Sequence, residues 1–139
     1  MNRGTQTTPE PPVKRDRRLR RGSVPLGIHG LIEYGAGALS IIGPFLFSFD
    51  SDVAKVVSIL IGAGIIVMAV MTASPTGIVR TLPIASHIVL DYVLSLFLIV
   101  SPFIFGFTND AAPTAYFIVL GLAYLLLTVT TRYHKPVKA

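Results

Sequence analysis

Along this chain the apolar positions come in four nearly unbroken runs, at about 26–48, 53–73, 84–107 and 113–131. None has a polar face wide enough for a helix on the surface of a water-soluble bundle. As a helix, each run can cross the hydrocarbon core of a bilayer, which takes about 20 residues. The pattern therefore predicts four membrane-spanning helices. Pro25 stands where the first begins, and proline is tolerated in a first helical turn. Phe49–Asp52 and Thr108–Pro113 read as tight outer turns, with Ser or Asp available to cap the next helix. The segment 73–83, with Pro75, Gly77 and Pro83, separates the second helix from the third.

The third run copies the first, including its ionisable residues. From His29 to Phe49 the chain reads HGLIEYGAGALSIIGPFLFSF, and 58 positions later, from His87 to Phe107, it reads HIVLDYVLSLFLIVSPFIFGF. Aligned without gaps, His, Tyr, Ile, Pro and three Phe are identical, and Glu33 faces Asp91. With one residue inserted in the second outer turn, Gly62 aligns with Gly121 and Thr72 with Thr131, so the whole hairpin is duplicated. Two spans per repeat make both copies enter the membrane in the same direction, related by a pseudo-two-fold axis along its normal. The expected fold is an all-α membrane protein whose four transmembrane helices form two parallel two-helix repeats. Repeat one covers about 26–73 and repeat two about 84–131, inside a domain of 25–132 flanked by an arm (1–24) and a tail (133–139).

Composition agrees: 52% of residues are hydrophobic and only 14% charged. The absence of cysteine excludes disulfides, thiolate metal ligands and thiol redox chemistry. The basic residues lie mainly at the ends, in a Pro-rich arm expected to be disordered and in a tail with Arg132, Lys135 and Lys138. Both flank spans, which points to topology and anionic lipid, not to nucleic acid. Arg15, Arg17, Arg18, Arg20 and Arg21 are the expected headgroup contacts. With Arg80 in the 73–83 connection and Asp50, Asp52 and Asp110 in the other two, both termini are expected on the cytoplasmic side of the cell (plasma) membrane. The first run is too long for a signal-peptide core and has no persuasive cleavage site, so it is expected to be retained.

The stretches SIIGPFLFSF at 40–49 and LIVSPFIFGF at 98–107, with the upstream H-x-x-[IL]-[DE]-Y pattern, resemble the SPW-repeat family of small integral membrane proteins. The resemblance covers roughly 26–131. The Ser-Pro-Trp motif that names the family reads Gly43-Pro44-Phe45 and Ser101-Pro102-Phe103 here, and the chain has no Trp. Phe keeps the interfacial aromatic but lacks the indole N–H. What the resemblance implies is a fold of paired transmembrane helices; it carries no catalytic activity to transfer.

His29 and Glu33 are four apart, as are His87 and Asp91, so each pair shares one helical face. If the first and third helices adjoin across the pseudo-axis, two imidazoles and two carboxylates converge. Such a set can join the repeats as a polar seam, with interhelical contacts worth about 0.6–2 kcal/mol, or can bind a divalent metal or relay a proton. Its place near the span ends predicts access to water, where a charge costs less than the roughly 3 kcal/mol of the helix centre. Tyr34 and Tyr92 read as interfacial anchors, the alternative being hydroxyl donors to an acid of the other repeat. Pro44 and Pro102 predict matched kinks, and Phe45, Phe47, Phe49, Phe103, Phe105 and Phe107 an outer aromatic belt. Gly35, Ala36, Gly37, Ser40, Gly62 and Gly64 allow close helix approach, and His134 reads as a solvated tail residue.

No glycine loop links a strand to a helix, and no spacing marks a nucleophile with an activating base. The expectation is a non-enzymatic structural or accessory membrane protein with no cofactor and no metal assigned. Its partners would be the lipid bilayer and either a second copy or a larger membrane protein. The alternative is an ion or proton pathway, or a metal site, centred on His29, Glu33, His87 and Asp91. A membrane enzyme acting on lipid or quinone is a third reading.

Overall fold

The structure, a computed structural model, describes residues 22–133. The expectations for the basic arm, with Arg15, Arg17, Arg18, Arg20 and Arg21, and for His134 fall outside the described residues. The elements are β1 (Val24–Pro25), α1 (Leu26–Leu46), α2 (Asp52–Met71), α3 (Ile84–Ile104), α4 (Ala111–Thr130) and β2 (Thr131–Arg132). All four helices are long and apolar enough to cross a membrane. α1 packs along α2 and α3 along α4, giving the two hairpins that the duplication predicts.

Both hairpins start alike. Pro25 (φ −64°, ψ 147°) and Pro83 (φ −61°, ψ 143°) hold extended backbone just before α1 and α3, where a missing N–H costs no helical bond. The hairpins also cross alike. A Cβ added to Gly62 would stand 2.6 Å from the Gly37 carbonyl oxygen, and one added to Gly121 would stand 2.9 Å from that of Ser95, the residue equivalent to Gly37. Backbones this close leave room only for glycine.

The prolines inside α1 and α3 have consequences at the far end of the bundle. Pro44 cannot donate to the Ser40 carbonyl, which instead accepts the Ser58 hydroxyl of α2 at 2.7 Å. Beyond each proline the helix closes through a left-handed residue, Ser48 (φ 50°) or Gly106 (φ 70°). Phe49 and Phe107 then donate their N–H groups back to Pro44 and Pro102 at 2.9 and 3.0 Å. This reversal corrects the uniform aromatic belt. Phe45 and Phe103 do face outward, 68% and 66% exposed, but Phe49 and Phe107 are each only 3% exposed and pack on Phe117 in the core. The Asp110 carboxylate bridges the two turns, accepting the N–H groups of Asp50 and Ser51 at 2.8 Å each.

At the opposite end, β1 and β2 pair in parallel, with Val24 opposite Thr131. A second parallel bridge joins Thr72 to Leu82. These are one contact made twice, because Thr72 is equivalent to Thr131 and Val24 to Leu82. Each ties the end of one repeat's second helix to the entry of the other repeat's first. Two-residue strands leave no alternation in the sequence, so the hydrophobic pattern could not announce them.

Candidate functional site

His29 and Glu33 on α1 meet His87 and Asp91 on α3 beneath those two bridges. Nε2 of His29 lies 3.6 Å from Glu33 Oε1 and 3.3 Å from Asp91 Oδ2. Nε2 of His87 lies 3.2 Å from Glu33 Oε1 and 3.3 Å from Asp91 Oδ2. Each imidazole therefore reaches both carboxylates, one from its own helix and one from the other repeat. The two rings stand edge to face, 5.7 Å apart.

The four residues are 0–2% exposed, which differs from the expected access to water. The reason is the capping layer: the bridges lay backbone across this end of the bundle, and the Tyr133 ring packs edge-on against His29 at 5.8 Å. Among the described residues, the imidazoles are the only cationic groups within ion-pair distance of Glu33 and Asp91. Arg80, the charge of the 73–83 connection, donates its Nε–H to the Gly77 carbonyl at 3.0 Å.

The same layer orients the rings. Thr131, following α4, places Oγ1 2.7 Å from His29 Nδ1, and Thr72, following α2, places Oγ1 2.8 Å from His87 Nδ1. Each hydroxyl also donates at 2.6 Å to the carbonyl four residues back, Leu127 or Met68. A hydroxyl has one proton to give, so in both cases it accepts from Nδ1–H. In the neutral ring this leaves the lone pair on Nε2, the atom that faces the carboxylates. The repeats exchange these threonines: His29 is served from repeat two and His87 from repeat one.

Tyrosine contacts break the symmetry. Tyr124 on α4 donates to Glu33 Oε1 at 2.9 Å, but the equivalent position on α2 is Ile65. Tyr133 approaches Asp91 Oδ2 at 3.5 Å, at the long limit of a hydrogen bond. Burial, with the Asp91 charge adding to it, pushes the Tyr133 phenol above its ordinary range and keeps it a donor. Among the described residues, neither Tyr34 nor Tyr92 reaches an acid. Tyr34 donates to the Thr76 carbonyl at 3.2 Å, and Tyr92 is exposed on the outer face of α3.

The sequence therefore brought out the four central residues but missed Thr72, Thr131, Tyr124 and Tyr133. The alignment of Thr72 with Thr131 was a usable signal: a polar residue ends each second helix at the depth where a histidine opens each first helix. Tyr124 and Tyr133 have no counterpart in repeat one and leave no such trace. Of the motif residues, Pro44, Pro102, Gly43 and Ser101 are buried, whereas Phe45 and Phe103 point away from the site.

His29, Glu33, His87 and Asp91 each offer a ligand atom, and these atoms all lie within 4.8 Å of one another. Chemically the centre can balance two carboxylates with protonated imidazoles or with a bound cation. The fold and the site together define a class: a multi-pass membrane protein of two same-direction helical hairpins, joined around a buried histidine–carboxylate centre. The chain belongs to the SPW repeat domain family, which it matches over residues 27–131. No curated protein and no solved structure matches it.

Proposed function

We propose that this chain is a non-enzymatic structural or accessory protein of the cell membrane, whose two hairpins are locked by an ionic junction of His29, Glu33, His87 and Asp91. The carrying observation is that each imidazole reaches the acids of both repeats, at 3.2–3.6 Å. Taking these groups out of water is expensive, and only mutual compensation offsets it. The burial of all four speaks against turnover or passage at this centre, since substrate or ions would need an opening. Arg80 and Arg132 at the capped end, with Asp50, Asp52 and Asp110 at the other, support an orientation with both termini cytoplasmic. The accessory role is association with a second copy or a larger membrane partner through the apolar outer faces.

The test is unfolding of the chelator-treated chain in detergent. Removing one partner leaves the rest of the buried set uncompensated, so Glu33→Gln or Asp91→Asn should each destabilise by about 3–5 kcal/mol. Wild-type stability in both variants would overturn the junction.

A further inference from the structure

Among the described residues three buried side-chain polar atoms lack a hydrogen-bond partner, and two of them, Nε2 of His29 and Oδ1 of Asp91, lie in the junction; the third is Nε of Arg132. Nε2 of His29 lies within 3.6 Å of both acids yet is hydrogen-bonded to neither. Buried polar atoms are rarely left this way, and two in one sealed centre point to something that binds there. We propose that Nε2 of His29, Nε2 of His87, Glu33 and Asp91 are the four ligands of a divalent first-row transition ion, best matched by Zn²⁺, and that Thr72 and Thr131 are its positioning residues.

The distances carry the argument first. Zinc–nitrogen and zinc–oxygen bonds of about 2.0–2.2 Å in a tetrahedron put neighbouring donors about 3.3–3.6 Å apart. The four nitrogen–oxygen separations, 3.2, 3.3, 3.3 and 3.6 Å, are near that spacing, and all four ligand atoms lie within 4.8 Å of one another, close enough for side-chain adjustment to bring them around one ion. Charge agrees: two carboxylates offset a dication, and two neutral imidazoles complete a site with no net charge, the cheapest form in a low-dielectric interior. The donor set selects the class. Two imidazole nitrogens suit zinc and its neighbours, calcium asks for 6–8 oxygens, and no thiolate is present for copper(I).

The threonines then supply what metal-binding histidines ordinarily have, a partner for the other ring N–H that fixes tautomer and orientation. Both Nδ1–H groups are held at 2.7–2.8 Å by hydroxyls whose own protons are committed elsewhere, so both Nε2 lone pairs face the centre. Four protein ligands under a closed layer leave no open position, which describes a structural ion and not a catalytic one. The inference rests on the junction reading for its location and adds the ion.

The experiment uses the full chain, purified in detergent and stripped with a chelator, then equilibrated with Zn²⁺ or titrated with Co²⁺. One ion per chain by elemental analysis is expected, with the intense visible absorption of tetrahedral Co²⁺, displaced by Zn²⁺. Glu33→Gln with Asp91→Asn should abolish both signals. The Thr72→Val, Thr131→Val double variant leaves all four ligands in place; it should still fill one site at saturation, with affinity weakened about 10–100-fold, and Thr→Ser at both positions should restore it. A folded wild-type chain that retains no more ion than the Glu33→Gln, Asp91→Asn variant overturns the proposal, as does a weak, octahedral Co²⁺ spectrum. If that occurs while the stripped chain still outlasts its acid variants in unfolding, the ionic junction stands and only the metal falls.

Discussion

At the capped end of the bundle, equivalent residues of the two repeats do equivalent work: His29 and His87 face the same two acids, and Thr131 and Thr72 hold the same ring nitrogen. Halfway along, the repeats have parted. Ser40 and Ser58 of the first make a hydrogen-bonded helix contact where the second has Leu98 and Phe117, both buried. The difference follows from what each region requires. The polar centre is reciprocal: each histidine uses a threonine of the other repeat, and each acid uses both histidines. Changing one member orphans a buried group belonging to the other copy, at about 1–3 kcal/mol or more for each polar atom left unpaired. The apolar middle asks only that volume be filled, and hydrophobic cores accept that in several ways.

The helix crossings test how far the equivalence extends. Gly62→Ala drives a Cβ against the Gly37 carbonyl and Ser40, and Gly121→Ala drives one against the Ser95 carbonyl and Ile99. Each should destabilise by about 1–3 kcal/mol, whereas Gly64→Ala, which meets nothing within 4 Å, should stay within about 0.5 kcal/mol. Reversible unfolding in micelles measures all three. Similar losses at Gly62 and Gly121 extend the symmetry from the polar centre to the crossing; a loss at only one of them confines it to the centre.

The middle should respond on one side only. Ser58→Ala removes the donor to the carbonyl that Pro44 leaves free, and should cost about 0.6–2 kcal/mol, the usual range for an interhelical hydrogen bond in a membrane protein. Phe117→Leu at the equivalent site orphans no polar group, so its effect should come from packing alone. An inert Ser58→Ala, read by the same unfolding assay, would mean that the divergence between the repeats has no energetic content.

What the sequence made legible follows the same division. Four spans, two hairpins and the His-acid set rest on features that repeat or run long, and such features survive projection onto a line. Gly62 and Gly121 align in the duplicated sequence and occupy matching crossings. The capping layer did not show itself, because a two-residue strand has no period and one of the layer's two pairings joins positions more than 100 apart, Val24 with Thr131. Without that layer the four polar residues read as a polar seam open to water near an interface; with it they are sealed. The inward turn of Phe49 was hidden for a related reason, since it depends on the left-handed conformation of Ser48 and not on any property of Phe.

That left-handed pair gives the finest comparison. Ser48 and Gly106 close their helices by the same hydrogen-bond pattern at φ 50° and 70°, but only Gly106 does so without a Cβ beside the carbonyl that follows it. For an ordinary L-residue this conformation costs about 1–2 kcal/mol, partly offset by the greater chain entropy glycine loses on folding. Ser48→Gly should therefore stabilise the chain by roughly 0.5–1 kcal/mol, and Gly106→Ser should destabilise it by a similar amount. The exchanged chain, carrying both substitutions, should unfold close to wild type if the two turns are interchangeable. A double variant well below wild type would show that the turns differ in more than their backbone. The place to look would then be Asp110, whose carboxylate grips the backbone after Ser48 and has no counterpart after Gly106 among the described residues.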